Sequence, residues 1–233
     1  MRTRKIPTNI KNESLVKKRR RQIFVAVVKL FSKKGYHGTT LREISKETGI
    51  TLGNLYDYIT TKEDILLIIH EGWIEAWEKA ISKEKEQSHN PVEKLRRLIN
   101  IELDTADKYQ DLAMIMYQES HAMSRDLLHP LLSSERHRVA VFEKVIAEGI
   151  EKGFFKPTNI RMSANLIKML IDSWILKRWD LRKNVSLEET RKGILDMVFN
   201  GIMKSDASDK GRKMREIHFS GKNGKRLQTF KAS

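Results

Sequence analysis

The sequence contains no cysteine, and this absence is typical of a protein that works in a reducing compartment. Proline and glycine are also scarce, with four prolines and 12 glycines in 233 residues, which favours helices over a turn-rich β architecture. No apolar run approaches the roughly 18 to 20 residues that a membrane-spanning helix needs. The first 22 residues likewise lack the apolar stretch of a signal peptide. We therefore expect a cytoplasmic protein that is long enough to bury an apolar core.

Catalytic and metal-binding motifs are missing as well. The seven histidines are scattered, and none is paired with another at the spacing of metal ligands. The segment HEGWI lacks the second histidine of a zinc-protease motif, and the chain has no P-loop, dinucleotide fingerprint or nucleophile elbow. His121 stands beside Glu119 and Ser120, but consecutive helical residues face different directions and cannot form a site alone. These absences predict that the chain is not an enzyme and binds neither a metal nor a cofactor.

The formal charge of +15 is concentrated at the two ends of the chain. Residues 1–22 contain nine Lys or Arg and one acid, and residues 204–233 contain nine Lys or Arg and three acids. A nearly neutral globule with two basic ends predicts a body with arms that bind a polyanion, most simply nucleic acid. The alternative is that the ends are solvated and only keep the protein soluble, and for the C-terminal end both interpretations stay open.

Apolar residues recur at helical intervals through most of the chain and predict an all-α fold of about nine helices without a strand. Capping boxes link Thr40 to Glu43 and Ser186 to Glu189, and Gly35 ends the first helix. The predicted helices cover residues 20–34, 41–48, 52–58, 61–81, from 91 onward, 111–123, 131–152, 159–180 and 187–203.

Two glycines interrupt the segment ETGITLGNLYDYITTKEDIL, residues 47–66, which otherwise has a helical pattern. Each glycine costs an interior helix about 1 kcal/mol relative to alanine, so the pair indicates a function. Gly49 stands where one short helix turns sharply into the next, which predicts the turn of a helix-turn-helix. Gly53 lies in the first turn of the following helix, where a missing side chain lets the backbone approach DNA closely. The alternative is that Gly53 relieves crowding against the second helix.

The segment RQIFVAVVKLFSKKGYHGTTLREISKETGITLGNLYDYITTKEDILLIIHEGW resembles the N-terminal DNA-binding domain of the TetR family of transcriptional regulators. The matching positions are Phe31, Gly35, Thr39, Thr40, Ile44, Gly49, Tyr56, Tyr58 and Lys62. Ile59 departs from the family's usual phenylalanine but keeps the position apolar. The resemblance implies a three-helix DNA-binding domain followed by a helical domain for ligand binding and dimerisation. We therefore expect a basic arm at 1–17, a DNA-binding domain at 18–78 with its helix-turn-helix at about 40–59, a ligand-binding and dimerisation domain at 79–204, and a basic, disordered tail at 205–233.

The third predicted helix is short, so only its N-terminal side chains can reach base edges in the major groove. These side chains belong to Thr51, Leu52 and Asn54, and Gly53 lies between them. Asn54 can bond adenine through two hydrogen bonds, whereas Leu52 offers apolar contact to a thymine methyl group. Asn54 is therefore the main predicted reader of sequence.

Five further residues are predicted to contact phosphates, which position a protein on DNA without reading its sequence. Tyr56, Tyr58 and Lys62 resemble the family's phosphate clamps. Thr40 and Arg42 lie at the start of the second helix, where the hydroxyl of Thr40 and the positive end of the helix dipole favour an anion. The alternative for Tyr56 is packing between the first and third helices, and the alternative for Arg42 is a solvated charge.

The eighth predicted helix contains ANLIKMLIDSWILKRW, which is apolar nearly all round and must be buried on more than one side. The ninth, LEETRKGILDMVFNGI, offers a second apolar surface. The simplest solution is a two-fold interface of four helices between two subunits, which is also how the resembled family dimerises. The candidate interface residues are Ile167, Ile171, Trp174, Ile175, Ile194 and Val198. A dimer suits palindromic double-stranded DNA, on which its recognition helices lie about 34 Å apart or a small multiple of that distance.

Predicted helices four to eight carry methionines and aromatic residues that suit a hydrophobic effector, and in the resembled family such helices enclose an inducer pocket. The candidate lining residues are Trp73, Trp77, Met114, Tyr117, His121, Phe142 and Met169. The alternative is that these residues are ordinary core. The segment DSWILKRWDLRKNVSLEE resembles TetR-type regulators of fatty-acid degradation that sense acyl-CoA, which makes acyl-CoA a candidate effector.

Together these patterns predict a homodimeric repressor, associated with the nucleoid, that a small hydrophobic molecule releases from a palindromic operator. The alternative is an adaptor of the same fold that binds DNA and acts through a protein partner without a small-molecule ligand.

Overall fold

The computed structural model describes residues 6, 8, 10–84 and 90–204, which form ten α-helices. The helices are α1 (Glu13–Lys34), α2 (Leu41–Thr48), α3 (Leu52–Leu55), α4 (Asp64–Glu84), α5 (Pro91–Lys108), α6 (Gln110–Glu119), α7 (Arg125–Glu151), α8 (Ile160–Leu176), α9 (Arg178–Asn184) and α10 (Leu187–Ile202). The β pairing found in this part of the chain is a single bridge between Phe155 and Met203. The predicted all-α fold is confirmed. None of the described helices combines the length and hydropathy that crossing a bilayer requires. The predicted tail at 205–233 lies outside the described residues.

Two helix boundaries differ from the sequence pattern for local reasons. The predicted helix 159–180 is divided at Lys177, where the backbone turns to φ −104° and ψ 18°, so α9 is a separate helix. The apolar pattern continues across this break and could not reveal it. At the other end of the chain, α1 begins at Glu13 rather than Arg20, because the Asn12 side chain accepts a hydrogen bond from the Leu15 amide.

One unit of the fold, which we call the head, consists of α1, α2, α3 and the first half of α4. Its core is formed by apolar residues that each of these helices turns inward, including Ile23, Phe31, Ile44, Leu55 and Ile65. Burial of such side chains stabilises the head by roughly 1.5–3 kcal/mol each. The rest of α4 and helices α5 to α10 form a second unit, the body. In the body, α8 packs against α5, α7 and α10, and its inward residues join those of α5 and α7 in a second core.

Helix α4 connects the head to the body and contacts α1, α5 and α7. Gly72 allows the close approach of α4 to α1, because a Cβ at this position would lie 2.6 Å from the ring of Phe24. The same ring lies 5.8 Å from the ring of Tyr109, at the junction of α5 and α6. Direct contacts therefore join α4 to α1 in the head and to α5 and α7 in the body.

Candidate nucleic-acid interface and regulatory body

The turn between α2 and α3 has the geometry that the sequence predicts for a helix-turn-helix. Gly49 ends α2 with φ 68° and ψ 9°, in the left-handed region that favours glycine. Thr40 and Glu43 form the predicted capping box at the start of α2, in which each side chain bonds the backbone amide of the other residue. The left-handed conformation of Gly49 sets the direction in which α3 leaves α2, and the capping box fixes the start of α2.

The N-terminal end of α3 is exposed, while the last residue of the helix is buried in the head. Leu55 is fully buried in the head, while Thr51, Gly53 and Asn54 are exposed and Leu52 is half-buried. The Thr51 side chain accepts a hydrogen bond from the Asn54 amide and so caps the helix. A Cβ added at Gly53 would meet no other atom of the described residues within 4 Å, so crowding against α2 does not explain this glycine. This end of the helix therefore offers an open backbone and an exposed amide side chain to another molecule.

The two tyrosines of the predicted phosphate clamp lie in different environments. Tyr56 is 52% exposed, which leaves its ring free of the packing between α1 and α3 that was the alternative interpretation. Tyr58 is only 6% exposed and belongs to the core of the head, next to Ile59. At the end of α3, Tyr56 therefore points outward and Tyr58 inward, and the phosphate contact of Tyr58 stays a prediction. Tyr58 supports the recognition helix by packing.

The remaining phosphate candidates lie near the ends of α2 and α4. Thr40 and Arg42 are exposed, but the Thr40 hydroxyl is already engaged with the Glu43 carboxylate at 3.0 Å. Lys62 is half-buried, with its Nζ 4.5 Å from the centroid of the Tyr36 ring and 3.4 Å from the His37 carbonyl oxygen. Burial lowers the pKa of Lys62. These contacts place the ammonium group of Lys62 beside the segment that joins α1 to α2.

Residues 6, 8 and 10, which we call the N-terminal strap, contact the head, and Thr8 bonds Asp57 just after the end of α3. Ile6 is buried and its carbonyl accepts a hydrogen bond from Arg20 at 2.9 Å. The Thr8 hydroxyl donates to the carbonyl of Asp57 at 2.7 Å and accepts from the Ile10 amide. Sequence reasoning treated this segment as a charged arm and missed the strap. The signal was the pair of isoleucines at 6 and 10 among basic residues.

The predicted dimer residues are not available to a partner subunit. Ile167, Ile171, Trp174 and Ile175 of α8, and Ile194 and Val198 of α10, are all buried within one subunit. They face α5 and α7 in the core of the body. This correction has a simple cause: α8 is apolar nearly all round, and its periodicity does not distinguish the face that meets the subunit's own core.

The opposite sides of α8 and α10 carry an exposed apolar surface, which we call the outer face. Its residues are Met162, Leu166 and Met169 on α8, and Gly193, Met197 and Gly201 on α10. The α8 residues follow one another at intervals of four and three positions, and the α10 residues at intervals of four, so each set lies along one side of its helix. A Cβ at Gly193 or Gly201 would meet no atom within 4 Å. The outer face therefore permits the close approach of another helix.

The predicted pocket residues are divided between the core and the surface. Trp77 and Phe142 are buried in the body, and Trp73 and Met114 are half-buried. Tyr117, His121 and Met169 are exposed and do not line the interior of one subunit, which corrects their place in the predicted pocket. Tyr117 and His121 form an edge-to-face pair at the surface, with ring centroids 6.4 Å apart. A separate open depression of about 510 Å³ lies near Arg96 and the start of α10, away from these residues.

A group of ionised side chains is buried where α5, α7 and α8 meet, close to Trp73 and Trp77 of α4. We call Glu102, Arg138 and Lys168 the buried charge cluster. Glu102 Oε2 accepts from Lys168 Nζ at 3.0 Å and lies 3.2 Å from an Arg138 guanidinium nitrogen. The guanidinium also lies over the Trp73 ring, 5.2 Å from its centroid. Sequence reasoning missed this cluster. Its signal is Glu102, a charged residue at a helical position that is otherwise flanked by the apolar residues Ile99, Leu103 and Ala106.

The charges in the cluster stabilise one another. Burial alone would raise the pKa of Glu102, but Lys168 and then Arg138 outweigh that effect, so the pKa of Glu102 is lowered and its carboxylate stays ionised. Burial alone would lower the pKa of Lys168, but Glu102, together with Asp172 and Glu135, outweighs that effect, so the pKa of Lys168 is raised. Removing Glu102 would leave Arg138 and Lys168 without their buried counter-charge, and breaking a buried pair in this way typically costs about 3–5 kcal/mol.

Two protein-family models match the chain. The model for bacterial regulatory proteins of the tetR family matches residues 23–69, and the model for the tetracyclin repressor-like C-terminal domain matches residues 88–202. Together these matches cover more than half of the chain. They correspond to the head and to most of the body.

Individual proteins are similar over most of the chain. The HTH-type transcriptional regulator HbdR of Aromatoleum sp. (strain CIB) is 28% identical over 190 residues, which are 81% of this chain and 83% of HbdR. A protein from Saccharomonospora viridis, solved in complex with choline, has a TM-score of 0.72 and 18% identity, and the match covers 81% of this chain and all of that one. AibR, solved with isovaleryl coenzyme A and operator DNA, has a TM-score of 0.64 and 22% identity, and the match covers 78% of this chain and 98% of AibR.

Proposed function

The chain belongs to the TetR family of bacterial regulatory proteins, and from this premise we propose that it is a dimeric repressor which a small hydrophobic ligand releases from a palindromic operator. It is a DNA-binding transcriptional regulator and not an enzyme. The observation that carries the proposal is the recognition helix α3, whose N-terminal end is exposed while Leu55 anchors it in the head.

In the proposed complex, α3 enters the major groove with its N-terminal end foremost. Asn54 reads adenine, and Leu52 and Thr51 contact neighbouring base edges. Tyr56 and Lys62 contact phosphates on either side of the groove and set the position of the helix. The open backbone at Gly53 supports this arrangement, because it lets α3 lie close to the DNA.

We propose that the outer face of α8 and α10 forms the two-fold interface between subunits. It is supported by exposed methionine and leucine side chains on neighbouring helices, which one subunit leaves uncovered. A second copy provides the same apolar surface, so a two-fold arrangement covers both. The two heads then present two recognition helices to half-sites related by the same two-fold axis.

Release of DNA follows from a change in the separation of the two heads. Helix α4 extends from Asp64, beside Lys62 in the head, to Glu84, and it packs against α5 and α7 in the body. A ligand among these helices that displaces α4 changes where the heads lie relative to successive grooves. The ligand must bind the displaced state more tightly, and a difference of about 3 kcal/mol weakens DNA affinity by roughly a hundredfold.

The effector that we propose is an acyl compound, with acyl-CoA as the first candidate. The structure of AibR with isovaleryl coenzyme A supports this choice only as a property of a similar protein. The test is to titrate isovaleryl-CoA and a long-chain acyl-CoA into a complex of the protein with a fluorescent DNA duplex, selected by the protein from a random pool. Light scattering on the same samples follows the size of the protein.

We expect the acyl-CoA to release DNA while the protein stays a dimer. Release together with dissociation into monomers would contradict the proposed movement of the heads. Tight binding to the selected DNA without a response to any acyl compound would instead favour an adaptor of this family that works through a protein partner.

A further inference from the structure

We propose that the buried charge cluster binds the neutral carbonyl group of the effector, and that Arg138 and Trp73 donate the hydrogen bonds that recognise it. This inference rests on the proposed function, because it assigns the effector's chemical class and its site. It concerns the four-helix junction where α5, α7 and α8 surround the cluster and α4 covers it.

The junction contains buried hydrogen-bond donors that the protein itself does not satisfy. Arg138 is 5% exposed, and its Nε has no hydrogen-bond partner in the structure. The indole Nε1 of Trp73 is also buried and has no hydrogen-bond partner among the described residues. A buried polar group without a partner is destabilising, so both donors favour a molecule that supplies an acceptor. Because the Arg138 guanidinium lies over the Trp73 ring, a single ligand group can reach both.

Two other unpaired atoms in the junction can satisfy each other. Trp77 Nε1 is a donor and Glu102 Oε1 is an acceptor, and both lack a close hydrogen-bond partner. Trp77 nevertheless contributes, after the charges of Lys168 and Arg138, to lowering the pKa of Glu102, which places the indole near this carboxylate. The excess that remains in the junction is therefore an excess of donors, and its ligand is an acceptor.

The charges around the site favour a neutral acceptor over an anion. Arg138 and Lys168 supply two positive charges. Glu102 is fully buried beside them, and Glu135 and Asp172 approach the same two cations to between 3.1 and 3.8 Å from the rim. The cations are therefore already neutralised, so a free carboxylate would add an uncompensated charge in a buried site. The carbonyl of a thioester, ester or amide provides an acceptor oxygen without that penalty.

The same contacts connect the site to the DNA-binding head. Trp73 and Trp77 belong to α4, which runs on to Asp64 beside Lys62, whereas Arg138 belongs to α7. A carbonyl that engages both Arg138 and Trp73 changes the contact between α7 and α4. Recognition and release are therefore made by the same pair of residues.

The test compares the full-length wild type with Trp73→Phe, which keeps the aromatic ring and removes only the donor, and with Arg138→Lys, which keeps the charge and removes Nε. Trp179→Phe and Arg136→Lys are matched controls, because Trp179 is exposed on α9 and Arg136 pairs with Glu143 away from the cluster. Isothermal titration measures the affinity for isovaleryl-CoA, isovaleryl methyl ester, isovaleramide, free isovalerate and choline. Thermal unfolding and DNA binding without effector show whether each variant is folded.

We expect wild type and both controls to bind the thioester, ester or amide more tightly than the free acid, and not to bind choline. Trp73→Phe should lose about tenfold in affinity for the carbonyl compounds, since one buried hydrogen bond is removed, whereas Trp179→Phe should keep the wild-type affinity. Binding of isovaleryl-CoA but not of the ester or amide would identify the effector as a coenzyme A thioester. Binding of the ester or amide but not of isovaleryl-CoA would identify it as a simpler acyl compound.

Two results would overturn this inference while the proposed function stands: unchanged affinity in Trp73→Phe and in folded Arg138→Lys, or tighter binding of free isovalerate or choline than of the carbonyl compounds. Wild-type protein that binds none of the five compounds would contradict the proposed acyl effector as well. If Arg138→Lys fails to fold, the affinity of Trp73→Phe alone decides between these outcomes, because that variant retains the buried charges.

Discussion

The assignment of the dimer interface leads to a substitution that should separate folding from assembly. Met197 lies on the outer face of α10 and is 67% exposed in one subunit. Met197→Asp should therefore have little effect on the folded subunit. In a two-fold dimer, each aspartate would be buried without a partner and would face its own symmetry mate. Each buried charge costs several kcal/mol, so the two aspartates together would weaken dimerisation by roughly 6 kcal/mol. This loss would raise the dimer dissociation constant by about ten-thousandfold.

The substitution Ile194→Asp provides the contrasting case on the same helix. Ile194 is 5% exposed and packs in the core of the body. Its replacement removes an apolar side chain, at a cost of about 2–5 kcal/mol, and also buries a carboxylate. The sum is comparable with the roughly 5–15 kcal/mol by which a typical domain is stable. Ile194→Asp should therefore unfold the subunit instead of giving folded monomers.

Sedimentation velocity and thermal unfolding distinguish these outcomes. We expect Met197→Asp to unfold cooperatively near the wild-type temperature, to sediment as a monomer at micromolar concentration, and to bind a two-half-site duplex much more weakly. Lys183→Asp, at an exposed position on α9, controls for the added negative charge and should remain dimeric. A dimeric Met197→Asp protein would refute the outer-face interface. A folded, monomeric Ile194→Asp protein would show that the dimer interface contains the residues that the sequence first indicated.

Three further predictions follow from the head and from α4. Asn54→Ala should relax sequence preference at one position of each half-site. Lys62→Ala should instead weaken binding to selected and random DNA by similar factors, because a phosphate contact carries no sequence information. A changed sequence preference in Lys62→Ala would contradict these roles. Thr8→Val removes the strap's hydrogen bond to the carbonyl of Asp57 and should weaken DNA binding several-fold without lowering the unfolding temperature. Deletion of residues 1–5 should make DNA affinity depend less steeply on salt concentration. An unchanged dependence of affinity on salt would show that this segment is only a solvated end. Burial lowers the pKa of His70 from 6.5 to about 4, so the unfolded chain takes up the proton at a higher pH than the folded chain does. The free energy of unfolding should therefore fall by up to about 3 kcal/mol as the pH drops between these values. In urea unfolding, His70→Gln should show a weaker pH dependence than the wild type, and an equal dependence would contradict the burial argument.

The helix-turn-helix could be predicted in detail because its signals are local. The capping box at Thr40, the turn at Gly49 and the open first turn at Gly53 depend on residues within a few positions of each other. The same holds for the capping box at Ser186, which the structure also contains. Short-range hydrogen bonds and backbone preferences fix these features before tertiary packing is known.

The body was less predictable because its features depend on which helices meet. Periodicity identified α8 and α10 as apolar but could not tell the inner side of Ile194 from the outer side of Met197. The division of α8 from α9 at Lys177 leaves no mark in the apolar pattern. The buried charge cluster joins residues up to 66 positions apart, Glu102 and Lys168, and only the packing of α5 against α8 brings them together.

Sequencing the DNA that the full-length protein enriches from a random duplex pool tests the central claim most directly. A dimer with two recognition helices should enrich an inverted repeat whose half-sites lie about one helical turn apart, or a small multiple of that distance. The half-site should contain an adenine whose preference is lost when Asn54→Ala is used for the selection. Enrichment of a single, unrepeated site, or no enrichment above random sequence, would contradict the account.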